Sequence, residues 1–150
     1  MLNKHFREFI GLLEKHGVSY LVVGGYAVGY HGFPRYTGDL DIFIGISEEN
    51  SRKIMEVFSE FGFPDLGISE DDFQEEEIVV EIGREPLKIQ VLTGIDGVTF
   101  SECLARRVYF DAGEGLKVPF IGIEDLLRNK KASPRAKDQI DLEELKRIRG

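Results

Sequence analysis

The segment Val18 to Val23, VSYLVV, is a short apolar run that ends abruptly at Gly24-Gly25. Too short for a helix and bounded by glycines, it predicts a buried central strand. A second strand is predicted from Asp39 to Ile44, where Leu40, Ile42 and Ile44 fall on one face and Asp39, Asp41 and Phe43 on the other. Between them, the small-residue segment Tyr26 to His31 suits a short helix that Gly32-Phe33-Pro34 breaks. A strand closed by paired glycines, followed by a strand opened by paired carboxylates, leaves few architectures open.

The rest of the chain fits around this pair. Phe6, Ile10, Leu12 and Leu13 recur at helical spacing, so residues 3–16 predict an amphipathic helix ending at Gly17. Ser47, followed by Glu48 and Glu49, caps a helix that runs to Phe61 with Ile54, Val57, Phe58 and Phe61 on its apolar side. Glu77 to Ile82 and Leu87 to Thr93 read as a hairpin around Gly83-Arg84-Glu85-Pro86. Thr99 and Glu102 form a capping box for a short helix. Arg107 to Phe110 and Leu116 to Ile121 flank a glycine turn as a further strand pair. Two helices follow, Ile123 to Ala132 and Pro134 to Ile148, with Ser133-Pro134 as cap and first-turn proline of the second. This order predicts an α/β (α+β) class: a mixed sheet covered by helices, with residues 1–150 as a single domain.

Charge and composition exclude several function classes. The net charge of −8 argues against a general nucleic-acid binder. It is unevenly spread: acidic residues dominate from Asp65 to Glu85, read as a solvated loop, whereas Arg128 to Gly150 holds eight Lys/Arg against four Asp/Glu. The single Cys103 forbids an intrachain disulfide and disfavours a cysteine-based metal site. No apolar run approaches a bilayer span, so no membrane association is expected. The N-terminal segment lacks a signal peptide's apolar centre, which makes the cytoplasm the expected compartment.

The chemistry concentrates in VVGGYAVGYHGFPRYTGDLDIFI, residues Val22 to Ile44. Aspartates at i and i+2 on a strand share a face, with roughly 6–7 Å between their α-carbons. Their carboxylates can converge on one metal, or share two metals roughly 3.5–4 Å apart. Mg²⁺ prefers hard oxygen ligands, commonly one or two carboxylates plus substrate phosphates. Buried without a cation, the pair would repel and one member would keep its proton. Gly24 and Gly25 let backbone amides approach a polyphosphate, and Arg35 and Thr37 add donors just before the aspartates. Asp39 and Asp41 are thus candidate catalytic and metal-binding residues, and Gly24, Gly25, Arg35 and Thr37 candidate nucleotide contacts. Taken singly, a Gly-Gly pair is a common turn and Asp-x-Asp a common exposed pattern. His31, Tyr26 and Tyr30 read more simply as packing residues than as ligand contacts.

The ordered combination G-G-x-A-x-x-x-H-G-x-x-R-x-T-x-D-x-D resembles the DNA polymerase beta-like nucleotidyltransferase superfamily. Within it, the chain is similar to small prokaryotic proteins related to abortive-infection toxin nucleotidyltransferases. Ile123-Glu124-Asp125-Leu126-Leu127-x-x-Lys130, followed by Arg135-x-x-Asp138-x-x-Asp141-Leu142, resembles the C-terminal motif of that group. The resemblance implies a mixed sheet, two Mg²⁺ ions, and transfer of a nucleoside monophosphate from a triphosphate. It leaves open whether the donor is ATP, CTP or GTP, and whether the acceptor hydroxyl lies on RNA, protein or a small molecule. A toxin–antitoxin or regulatory setting, with a protein partner completing the site, is a further expectation. Lys130 falls on the apolar stripe Ile123, Leu126, Leu127, where a lysine needs an anion. The resemblance implies a triphosphate contact; the equally weighted alternative is a structural ion pair with Asp138. Arg135 and Asp138 can pair with each other, and Asp141, Lys131 and Lys137 read as solvated.

One position departs from the pattern. The superfamily's third carboxylate lies on a later strand, and the matching stretch here, Leu87 to Leu92, carries Gln90 at that place. Glutamine can hydrogen-bond and ligate through its oxygen but is no base near neutral pH. Glu81 on the neighbouring strand is a candidate substitute, with a solvated edge position as the plainer reading. Two expectations follow: a Mg²⁺-dependent nucleotidyltransferase, or a catalytically weakened nucleotide-binding regulatory protein.

Overall fold

The computed structural model describes residues 2–63, 67–84 and 87–150. Helix α1 (Lys4–His16) starts at Asn3, whose side-chain oxygen accepts a hydrogen bond from the Phe6 amide at 3.0 Å. It ends at Gly17, which adopts the left-handed conformation that terminates helices. Helix α3 (Glu48–Phe61) is built the same way, with Ser47 accepting from the Asn50 amide at 3.0 Å and Gly62 closing it. The two helices meet through Phe9, whose ring lies 6.0 Å from Phe58 and 5.1 Å from Phe61.

Among the described residues, strands β1 (Tyr20–Val23), β2 (Asp39–Ile44), β3 (Val79–Arg84), β4 (Leu87–Leu92), β5 (Val108–Asp111) and β6 (Lys117–Phe120) form one mixed sheet, ordered β3-β4-β2-β1-β6-β5. Every residue of β1 is buried, as its apolar run requires for a central strand. Strand β2 runs antiparallel to β1 and parallel to β4, so the strand bearing the aspartates is also central. The β3–β4 pair is antiparallel, as expected for a hairpin. Of its predicted turn, Glu85 and Pro86 lie outside the described residues.

Three local features differ from the sequence reading. Helix α2 (Gly24–Tyr30) begins at the glycines themselves rather than at Tyr26. The acidic segment is not only a solvated loop: Glu70–Gln74 forms a 3₁₀ turn whose Phe73 is fully buried and stacks on Phe58 at 5.8 Å. The charges around Phe73 hide its apolar role from a charge count, and Asp65, part of the predicted loop, lies outside the described residues. Phe43, although on the face of the aspartates, is buried edge-on against Phe100 of helix α4 (Phe100–Ala105) at 5.1 Å. That face of β2 is therefore covered at its C-terminal end and polar at its N-terminal end.

Helices α5 (Ile123–Ala132) and α6 (Ala136–Arg149) close the chain. Helix α6 starts after Arg135 rather than at Pro134, with no side-chain cap, and the Ser133 hydroxyl donates to Asp138 Oδ2 at 2.6 Å.

Candidate active site

Register places the key residues of three strands in one row. Asp41 lies opposite Val23 of β1 and Gln90 of β4, and Gln90 lies opposite Glu81 of β3. Directly paired residues project to the same side of a sheet, so Asp41, Gln90 and Glu81 share a face. Gln90 Nε2 donates to Glu81 Oε2 at 2.8 Å, and Lys88 Nζ to Glu81 Oε1 at 3.4 Å. The hydrogen bond from Gln90, then that from Lys88, holds the Glu81 carboxyl below the usual carboxylate range. Glu81 sits on an edge strand, one strand farther from Asp41 than Gln90.

Asp39, Asp41 and Gln90 line a cleft of about 510 Å³ whose other walls include Gly24, Gly25, Arg35, Lys130, Arg135 and Lys137. Gly24 has φ +70°, and a Cβ placed on it would lie 2.0 Å from Asp41 Oδ2. A Cβ on Gly25 would lie 2.7 Å from Thr37 Oγ1. The two glycines are therefore required, before any ligand is considered, by the close approach of the Asp41 and Thr37 side chains. Thr37 in turn braces the backbone of Asp39, its hydroxyl lying 3.4 Å from the Asp39 amide and 3.3 Å from the carbonyl. The sequence reading gave these residues a phosphate-binding role; the structure adds a scaffolding one.

Asp41 is the most electrostatically strained carboxylate of the cleft. Burial, then repulsion from Asp39, pushes its carboxyl up to about 6, against the opposing influence of Lys130, Lys137 and Arg135. Its Oδ1 is buried with no hydrogen-bond partner. A solvent-shielded carboxylate oxygen without a donor, beside a second carboxylate, suits a divalent cation that also takes ligands from phosphate. No cluster of three or more His, Cys, Asp or Glu side chains able to hold a metal occurs among the described residues. The carboxylates that could hold one are Asp39 and Asp41, with Gln90 as a neutral neighbour on the adjacent strand.

The cations expected to meet phosphate are tied to carboxylates. Arg35 makes a two-pronged pair with Asp141, Nε to Oδ1 at 2.9 Å and the NH2 nitrogen to Oδ2 at 2.8 Å. Lys130 is buried, 2.8 Å from Asp138 Oδ1 and 3.1 Å from Asp141 Oδ2. Asp141, read from sequence as solvated, is instead fully buried. The correction has a simple cause: Asp138, Asp141, Leu142 and Leu145 form the buried stripe of α6, at i, i+3, i+4 and i+7. Arg135 pairs with Asp138 at 2.9 Å, as its spacing suggested. Burial raises the proton affinity of Asp138, but hydrogen bonds from Lys130, Ser133 and Arg135 outweigh it and leave the carboxyl at about 2. This network fastens α6 to α5 and to the segment before β2. Replacing Lys130 with methionine leaves two buried carboxylates short of a cation, and should cost about 3 kcal/mol of unfolding free energy. Urea denaturation measures this; a loss below about 1 kcal/mol, the size of an exposed pair, would refute the structural role.

The remaining residues singled out from sequence are packed. His31 Nε2 lies 2.8 Å from the Ile121 carbonyl oxygen. Tyr26 meets Phe6 edge-on at 5.8 Å, and Tyr30 stacks on Phe120 at 4.9 Å.

Residues 3–150 match the family described as nucleotidyl transferase of unknown function (DUF2204). The chain belongs to this nucleotidyl transferase family. Among curated proteins, none matches the sequence. Solved structures with the same fold include a candidate nucleotidyltransferase from Thermotoga maritima, 18% identical, covering 95% of this chain and 87% of its own at a TM-score of 0.55. An antigenic nucleotidyltransferase-like protein from Paracoccidioides brasiliensis is 18% identical over 93% of this chain and 72% of its own, with a TM-score of 0.53. The lincomycin-bound lincosamide antibiotic adenylyltransferase LnuA is 15% identical over 99% of this chain and 98% of its own, with a TM-score of 0.54. At these identities the likeness establishes the nucleotidyltransferase fold of this family member. Among its described residues, no helix is long and apolar enough to cross a membrane.

Proposed function

We propose that this family member transfers a nucleoside monophosphate from an NTP to an acceptor hydroxyl, with Asp39 and Asp41 holding Mg²⁺. The observation that carries the reading is the buried, unpartnered Oδ1 of Asp41 beside Asp39 at the base of the cleft. Family membership supports a nucleotide substrate. When bound, the cation supplies positive charge to the reacting phosphate and the leaving pyrophosphate. Gly24 and Gly25 keep the cleft floor free of side chains beside Asp41, and Thr37 holds the Asp39 backbone in register. The acceptor oxygen forms a bond to the α-phosphorus as the bond to the pyrophosphate oxygen breaks. The leaving group takes that electron pair. The hydroxyl proton passes to water, since Gln90 cannot accept it.

The test is incubation with each labelled NTP, Mg²⁺ and separate pools of RNA, protein and small-molecule acceptors. Wild type is expected to label one pool with one preferred NTP, and the Asp39→Asn/Asp41→Asn variant none. Labelling that survives the double substitution would sink the proposal. A second reading, a nucleotide-binding regulatory protein with weakened catalysis, is favoured by Gln90 standing beside Asp41 where a carboxylate would serve as base. Saturable NTP binding by calorimetry, with no label transferred to any pool, would select it.

A further inference from the structure

Of the four cations that line the cleft, three are already paired with carboxylates. Arg35, Lys130 and Arg135 share the two carboxylates of Asp138 and Asp141. Lys137 also lines the cleft, is exposed, and has no hydrogen bond or ion pair among the described residues. It lies in the first turn of α6, where the helix dipole favours an acid and disfavours a cation. Neither local helix stability nor a salt bridge explains a lysine there.

We infer that Lys137, with the partly exposed Arg135 beside it, is the contact for the β- and γ-phosphates of the nucleotide, and that Arg35 and Lys130 are positioning residues that hold α6 against the cleft. This rests on the proposed reading of the cleft as a metal–triphosphate site. The division of labour follows from desolvation. Lys130 and Arg35 already satisfy buried carboxylates, so turning either toward a phosphate would cost a buried carboxylate one of its partners. Lys137 gives up only water, and its flexible stem lets the ammonium follow a phosphate whose position shifts during the reaction. An ammonium in the cleft with no carboxylate partner among the described residues suits a triphosphate, which remains negative after one divalent cation has bound.

The experiment measures Mg²⁺–tripolyphosphate binding by calorimetry at low salt, so that no nucleobase contributes. Wild type, Lys137→Ala, Lys137→Arg and Arg35→Lys are compared, with thermal unfolding of each. Lys137→Ala is expected to weaken binding roughly tenfold or more with an unchanged unfolding temperature, and Lys137→Arg to recover most of the loss. Arg35→Lys is expected to lower the unfolding temperature and to weaken tripolyphosphate less than Lys137→Ala does. Unchanged binding in Lys137→Ala, alongside tight binding by wild type, overturns the assignment and leaves the triphosphate site standing. No binding by wild type removes the triphosphate reading itself, and the assignment with it.

Discussion

The Asp41→Asn protein is expected to be more stable than wild type in metal-free buffer and inert in nucleotidyl transfer. In the folded chain the Asp41 carboxyl titrates at about 6, whereas in the unfolded chain it titrates near its ordinary value of about 4. Below about pH 4 the group is protonated in both states and carries no penalty. As pH rises from 4 to 6 the unfolded chain releases its proton first, so the folded state loses stability, and above 6 the penalty is constant. Its size is on the order of 2–3 kcal/mol. Asparagine has the same shape against Gly24 and no charge, so the gain should appear above pH 6 and fade toward pH 4. Added Mg²⁺ should stabilise wild type at pH 7.5 more than at pH 5, because binding must displace the proton, and should leave the variant unmoved. Loss of transfer should exceed the roughly 10–100-fold typical of groups that merely support a metal ligand. Chemical denaturation across pH, with and without Mg²⁺, reads the stability terms. A variant less stable than wild type at pH 7.5 without metal would contradict the account of Asp41 as a carboxylate awaiting a cation.

The central strands and the aspartate face were legible in sequence because their patterns are local. An apolar run between glycines has one plausible place in a sheet, and alternation from Asp39 to Ile44 assigns both faces of β2. The partners of charged residues were not legible in the same way. Arg35 and Asp141 lie far apart in the chain, and only the packing of α6 on the loop before β2 brings them into contact. The helical stripe Asp138, Asp141, Leu142, Leu145 did point to burial of Asp141, but an aspartate among leucines is easily read as solvated when its cations sit on other elements. Phe73 was hidden for a related reason: within Glu70–Gln74 a single aromatic residue sets the packing while its neighbours set the apparent character. Gln90, matched through the family resemblance to the third-carboxylate position, lies opposite Asp41. Its bond to Glu81 required the β3–β4 register, which the sequence of a hairpin does not fix in advance.

Gln90→Asp should speed the proposed transfer at the expense of stability. The register sets residue 90 directly beside Asp41 on one side and Glu81 on the other, so an aspartate there completes a row of acidic side chains. In the metal-free protein this is unfavourable twice over: Glu81 loses the amide donor that now lies 2.8 Å away, and Asp41 gains another like charge. Unfolding should therefore occur at lower denaturant, and Asp41 should hold its proton more tightly still. With Mg²⁺ and NTP bound, the added carboxylate is offset by the cation and stands ready to take the acceptor's proton, which Gln90 cannot do. Positioned general bases typically contribute on the order of 10² or more in rate, so single-turnover transfer should rise by about that factor, with NTP affinity little changed. Gln90→Leu supplies the contrast, since it loses the Glu81 contact without gaining a base and should show the stability loss with no acceleration. If Gln90→Asp and Gln90→Leu behave alike, transfer of the acceptor's proton is not what limits this site.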